Sequence, residues 1–228
     1  MDTLQREFDA AWAGFQTLDS LRLLPDTLEA EWMRGRDSYL AFLCPVTDPS
    51  VVAHLHEAVR SIEGIPGVEA YPEDYWHITV KGIGFEVEAP AQPDDVAYAD
   101  IAGIAGVARE IFAAQPTFDV GIGPLSAFPE VVFAEVQNSV PVRDLNRRVL
   151  EVMPGLVRYP FDGETFLPHI SVARFTSDEG LPKLKETIGR LRNAPPGPSF
   201  RIAEVQLVRA HLSERAPTLE AIETYALG

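Results

Sequence analysis

The sequence predicts an α+β protein in which one β-α-β-α-β unit is used twice, forming two pseudo-symmetric lobes with antiparallel sheets around a central cleft. Three observations predict it. Two tetrapeptides share one pattern, His77-Ile78-Thr79-Val80 and His169-Ile170-Ser171-Val172. The same order of apolar runs and helical periodicities surrounds each. The spacing between copies is nearly constant: the runs around Tyr39 and Val132 are 93 positions apart (132 − 39), and the two histidines 92 (169 − 77).

Each element follows from local pattern. Residues 1–37 stand outside the repeat as a helical extension. Leu4, Phe8, Trp12, Phe15 and Leu18 mark one face of an amphipathic helix, and Pro25 breaks the pattern before a short segment, Leu28 to Met33. That helix is expected to cover an exposed side of the lobes, with a dimerisation arm (residues 1–24) as the alternative to a monomer. The repeat occupies 38–228, its halves meeting near 122/123. The first half opens with the apolar run Tyr39–Cys44, turns at Asp48-Pro49, and continues as a helix with Val52, Leu55, Val59 and Ile62 at three- and four-residue spacing. The strand carrying His77 follows, then a helix within Asp94–Ala114 and an alternating strand, Phe118–Ile122. In the second half the run Val131–Val136 precedes a turn with Pro141, and a helix with Val142, Leu145, Val149 and Val152 leads to the strand carrying His169. A helix over Gly180–Leu191 and strands at Phe200–Val205, Glu204–His211 and Leu219–Ala226 complete the chain.

On an extended strand the pattern histidine, apolar, hydroxyl, apolar puts the histidine and hydroxyl on one face and the apolar pair in the core. Pseudo-symmetry brings the equivalent strands together at the centre, so two imidazoles and two hydroxyls face one pocket. One neutral imidazole and one imidazolium on opposite sides of a phosphate suit in-line opening of a cyclic phosphodiester without a metal. The hydroxyls of Thr79 and Ser171, with a cation, would hold the non-bridging oxygens. Lys81 and Arg174 are the candidate cations. Strict alternation puts Lys81 on the face of His77 and Thr79 and gives Arg174 the opposite parity, so a bulge or strand end is needed to aim Arg174 at the site. Phe128 and Phe166, near the motifs, are the candidates for stacking on a base.

Composition bounds the partners. With 228 residues, 46% hydrophobic and 23% charged, the chain can bury a sizeable core. It has no apolar stretch of bilayer length and no basic-then-apolar leader, so a cytoplasmic protein without membrane contact is expected. The lone Cys44 excludes intramolecular disulfides and cysteine metal sites and reads as core. His54 and His56 lie two apart on a helix and make no metal pair, and no cofactor is implied. A net charge of −15 repels long polyanions such as DNA, leaving a small phosphorylated nucleotide or a short RNA end as the expected partner.

The paired motifs, their place in a duplicated unit and the segment Pro168-His169-Ile170-Ser171-Val172-Ala173-Arg174 resemble the two-histidine (2H) phosphoesterase superfamily. The most similar branch is the LigT-like one, the bacterial and archaeal RNA 2',3'-cyclic phosphodiesterases also called 2'-5' RNA ligases. The resemblance covers about Ser38 to Leu227 and includes Gly123-Pro124-Leu125-Ser126-Ala127-Phe128-Pro129 ahead of a strand. It implies a metal-independent phosphodiesterase acting on 2',3'-cyclic phosphates of nucleotides or RNA ends. It further implies His77 and His169 as general base and general acid, the order between them left open, Thr79 and Ser171 as phosphate-binding hydroxyls, and Arg174 against phosphate. Two features depart from that branch: Lys81, where a small or apolar residue is usual, and the acidic balance. The alternatives are 2'-5' ligation by the reverse reaction and a non-catalytic module that binds a phosphorylated ligand.

Overall fold

The computed structural model describes residues 3–23, 32–212 and 216–228. It is a mixed α+β protein built on one ten-stranded sheet. The expected pair of sheets is thus joined, because the two motif strands hydrogen-bond to each other at the centre. The first-lobe strands are β1 (Ser38–Pro45), β3 (His77–Val87), β9 (Glu204–His211) and β10 (Thr218–Ala226). The second-lobe strands are β5 (Phe118–Ala127), β6 (Val131–Gln137), β7 (His169–Phe175) and β8 (Ser199–Ile202). The order is β10-β9-β1-β3-β7-β6-β5-β8, with short β2 (Val68–Ala70) on β7 and β4 (Asp95–Ala97) parallel to β3. Strands cross over between the halves: β5 of the first half lies beside β6 of the second lobe, and β9 of the second half, with β10 beyond it, lies beside β1 of the first. This exchange keeps the pseudo-twofold relation and ties the lobes together.

The helices bounded within the described residues are α1 (Thr3–Gln16), α2 (Pro49–Arg60), α3 (Ile101–Ala113), α4 (Val140–Val152) and α5 (Leu181–Leu191). Asp48 starts α2 by accepting hydrogen bonds from the Ser50 and Val51 amides, and Pro49 sits in the first turn where no amide is needed. The stretch 94–114 divides: Asp94 and Asp95 hold Arg36, residues 95–97 pair with β3, and the helix starts only at Ile101. Apolar residues from both halves, including Cys44, Ile78, Val80, Ile170 and Val172, form one core on the sheet face opposite the site. The extension docks on its own chain, with Leu4, Phe8 and Phe15 buried. That burial contributes about 1.5–3 kcal/mol per side chain. The apolar face offered as the alternative dimerisation arm is therefore buried within its own chain. Pro25 and the segment expected from Leu28 lie outside the described residues up to position 31. No helix among the described residues is long and apolar enough to cross a membrane.

Candidate active site

The two motif strands meet through a single antiparallel bridge, Ile78 opposite Ile170. Continuing that register by one residue either way sets His77 opposite Ser171 and Thr79 opposite His169, all four on the face away from the isoleucines. Directly opposed residues have β-carbons about 4.5–5.5 Å apart and diagonal ones about 7–8 Å, so the two histidines are diagonal neighbours on one face of the sheet.

Each imidazole is oriented in the same way. A one-turn 3₁₀ helix, Glu73–Tyr75 or Gly163–Thr165, precedes each motif. It leaves the carbonyl two residues before the histidine facing the ring: His77 Nδ1 lies 2.5 Å from the Tyr75 oxygen, and His169 Nδ1 lies 2.8 Å from the Leu167 oxygen. A carbonyl can only accept, so Nδ1 carries the hydrogen in both rings and Nε2 is left for the ligand. Tyr75 packs edge-on against the His77 ring at 5.1 Å. Phe128 and Phe133 hold His169 at 5.2 and 5.1 Å. Burial pushes the His77 pKa down to about 4, the neighbouring His169 adding to the effect, and burial also lowers that of His169. Both rings are neutral at pH 7 in the free protein.

Bulges decide the two candidate cations. On β3 the pairing steps from Leu43–Thr79 to Phe42–Lys81, so Val80 is an extra residue and the alternation flips. Lys81 therefore turns away from the histidines. Its side chain is 0% exposed, its ammonium donates to Asp162 (1% exposed) at 2.7 Å, and it lies 4.5 Å from the Tyr159 ring centre. The expectation that Lys81 binds phosphate is overturned for this reason. On β7 the same device occurs one motif later: pairing steps from Phe133–Ser171 to Val132–Ala173, so Val172 is the extra residue. Here the flip brings Arg174 onto the face of His169 and Ser171. Its Nε and Nη2 both donate to Glu69 on β2 at 3.0 Å. The pseudo-symmetric counterpart of Arg174 is Gly82. A side chain there would meet the Tyr39 hydroxyl at 2.6 Å, so glycine lets that ring lie across the strand.

A cleft of about 590 Å³ opens over His77, Thr79, Gly82 and Arg174. Its floor is the site face of the first lobe, including Ala41, Leu43, Val208 and Ala210, and its walls carry Trp32, Tyr39, Tyr71, Tyr75 and Phe161. His169 and Ser171 do not line this cleft. They sit just across the bridge, under Phe128 and Phe133. Of the proposed stacking residues, Phe166 is only 6% exposed and belongs to the core, which overturns that assignment. Phe128 is partly exposed but stacks on Phe133 at 4.3 Å and buttresses His169.

The sequence reading missed the aromatic walls. Phe161, 59% exposed and stacked on Tyr159, stands on the loop that Lys81 anchors. Asp162 accepts from Lys81, the Tyr159 amide and Asn146; Asn146 accepts from the Gly163 amide. The Pro160-Phe161-Asp162-Gly163 run is a turn signal that offered the one visible hint of an exposed aromatic tip. Among the described residues no group of three or more His, Cys, Asp or Glu side chains is placed to hold a metal ion.

The model of the 2'-5' RNA ligase superfamily matches residues 47–214. An RNA 2',3'-cyclic phosphodiesterase of Methanothermobacter thermautotrophicus is 27% identical over 194 residues, 82% of this chain and 98% of the relative. Among solved structures, E. coli LigT complexed with 3'-AMP superposes with a TM-score of 0.61 at 16% identity, covering 84% of this chain and 98% of that one. TT0787 of Thermus thermophilus superposes with a TM-score of 0.60 at 19% identity, covering 83% and 97%. At these identities the structural likeness establishes a shared fold.

Proposed function

The chain belongs to the 2'-5' RNA ligase superfamily, and from that premise we propose that it is a metal-independent phosphodiesterase that opens 2',3'-cyclic phosphates of nucleotides. The single observation that supports the reading is the bridge Ile78–Ile170, beside which two histidines, each with Nδ1 held by a carbonyl, and two hydroxyls share one face of the sheet. The relatives act or bind accordingly: one is an RNA 2',3'-cyclic phosphodiesterase, and LigT structures hold 3'-AMP and ATP.

The direction of proton transfer follows from where the nucleoside fits. The aromatic-walled cleft lies on the His77 side, so the ribose oxygen that leaves phosphorus is on that side too. His77 Nε2–H donates its proton to this oxygen as the P–O bond breaks. In-line displacement places the attacking water opposite, where His169 Nε2 takes its proton as the new P–O bond forms. Thr79, Ser171 and Arg174 donate hydrogen bonds to the non-bridging oxygens as charge gathers there. The product is a 2'- or 3'-phosphomonoester. Both rings are neutral when the site is empty, and a bound phosphate monoanion favours the imidazolium, so the acid is loaded with its proton as substrate arrives. The reverse reaction, end joining, has no separate observation in its favour.

The test is hydrolysis of 2',3'-cyclic mononucleotides by purified protein with chelator present. Release of a phosphomonoester at an undiminished rate is expected. Absence of turnover on every cyclic mononucleotide and cyclic-phosphate-ended oligonucleotide overturns the proposal.

A further inference from the structure

The open cleft has two unlike ends. Along β3 it runs from His77 to Gly82, which pair with Pro45 and Ala41 of β1 and so lie about 13 Å apart. At the Gly82 end stand Tyr39, whose hydroxyl lies over the glycine, and the exposed rings of Trp32 and Phe161. At the His77 end β7 runs on past the start of β3. There Arg174 pairs with Glu69 of β2 on one side and Val131 of β6 on the other. The turn before Val131 is closed by paired hydrogen bonds between Phe128 and Val131 at 2.9 and 3.4 Å, so Glu130 sits next to the residue opposite Arg174, and it lines the cleft.

Arg22 reaches this end of the cleft from the N-terminal extension. The backbone that carries it is fixed. The Lys185 ammonium donates to the carbonyls of Gln16 at 3.0 Å and Leu18 at 2.5 Å, the Leu21 amide donates to Asp178 at 2.5 Å, and the Arg22 amide donates to the Pro129 carbonyl at 2.9 Å. The side chain itself is 61% exposed, and its Nη1 donates to Glu130 at 3.3 Å. A long contact between exposed groups is weak, and a guanidinium has donors to spare. A phosphate, with more charge than a carboxylate and three acceptor oxygens, competes well for it. An anchored backbone under an exposed side chain offers this cation with part of the ordering already done. Arg22 lies outside the segment 47–214 that the superfamily model matches.

The shape of a nucleotide fits both ends. In a furanose the 2' and 3' oxygens share one edge, and the base on C1' and the 5' carbon on C4' leave from opposite flanks of it. With the cyclic phosphate beside the histidines and the base among the exposed rings at the Gly82 end, the 5' oxygen points to the His77 end. We propose that Arg22 forms a second phosphate subsite there, seating the phosphate on the 5' oxygen of the nucleotide whose cyclic phosphate is opened. The inference rests on the phosphodiesterase reading for the position of the cyclic phosphate. The substrate class is then the 5'-phosphorylated cyclic nucleotide, its 5'-phosphate being a terminal monoester or the last linkage of an RNA end.

The experiment measures kcat/KM of the full-length protein for a 2',3'-cyclic mononucleotide and for the same compound carrying a 5'-phosphate, at fixed low salt. The net charge of −15 opposes any added phosphate, so a preference for it reports a local cation. A preference of about tenfold is expected from charge-assisted hydrogen bonds, and one below about threefold overturns the subsite. In Arg22→Ala the ratio of the two values should collapse to below about threefold, and a ratio equal to the wild-type one overturns the assignment to Arg22. Glu130→Gln removes the competing carboxylate and should raise the ratio. A dinucleotide ending in the cyclic phosphate separates the two sources: a gain for it as well assigns the subsite to RNA ends, and a gain confined to the monoester assigns it to free nucleotides. Should no compound turn over, the phosphodiesterase reading fails by itself. Calorimetric affinities of a nucleoside 3'-phosphate and a nucleoside 3',5'-bisphosphate, for wild type and Arg22→Ala, then decide the subsite by the same threefold criterion.

Discussion

Replacing Lys81 by methionine strips the countercharge from a carboxylate that has almost no contact with water. The Asp162 side chain is 1% exposed, and three donors converge on it: the Lys81 ammonium, the Tyr159 amide and Asn146. Removing one partner of such a pair costs about 3–5 kcal/mol, because the remaining charge stays buried without compensation. For a chain of this size each kcal/mol lowers Tm by about 2–4 °C, so a fall of roughly 6–20 °C is expected by calorimetry at pH 7. The double variant Lys81→Met/Asp162→Asn removes the stranded charge while keeping an acceptor for the Tyr159 amide, and should recover at least about half of that loss. Because Asp162 also fixes the loop bearing Phe161, KM for a cyclic nucleotide should rise more than kcat falls. A Tm change below about 2 °C for Lys81→Met, or a double variant no more stable than the single, refutes the claim that Lys81 is a structural anchor.

His77→Ala and His169→Ala should each lower kcat by about 10²- to 10⁴-fold without loss of the fold. A cyclic phosphorothiolate whose leaving atom is sulfur needs no proton from the protein. It should restore turnover to His77→Ala and leave His169→Ala inactive, and rescue of the other variant reverses the assigned roles. The pH profile of kcat/KM reports the free protein, in which both imidazole pKa values lie below 6.5, His77 at about 4. Protonation of the pair is lost as pH rises through those values, so kcat/KM should peak below pH 6.5 and decline above it; a plateau extending past pH 8 contradicts this. Arg174→Ala should lower kcat/KM by about 10- to 100-fold, the loss of a charge-assisted hydrogen bond to phosphate, with Arg174→Lys recovering only part. Steady-state kinetics on a cyclic mononucleotide checks it.

The sequence displays what is repeated and hides what is not. Two copies of one tetrapeptide in register announce the paired histidines, because strand periodicity and duplication are both properties of spacing. The bulges at Val80 and Val172 leave no such trace. Each adds one residue to a strand that already reads as continuous and apolar, and that residue exchanges the faces of everything beyond it. Identical events then have opposite outcomes in the two halves: one sends Lys81 into the core and leaves Gly82 at the site, and the other brings Arg174 to the site. Of the two candidate cations, the one on the site face therefore comes from the second half. The same inequality governs the surroundings. The first lobe keeps its site face open as a cleft, whereas α1 closes the second over Phe133 and Glu135, a contact between residues more than a hundred positions apart that no local pattern encodes. On the proposed mechanism, two chemically equivalent imidazoles take different tasks for this reason. A symmetric cleft could accept the nucleoside on either side and would let either histidine serve as acid. On the proposed mechanism, closing one side leaves a single orientation, in which the leaving oxygen meets His77 and the attacking water meets His169.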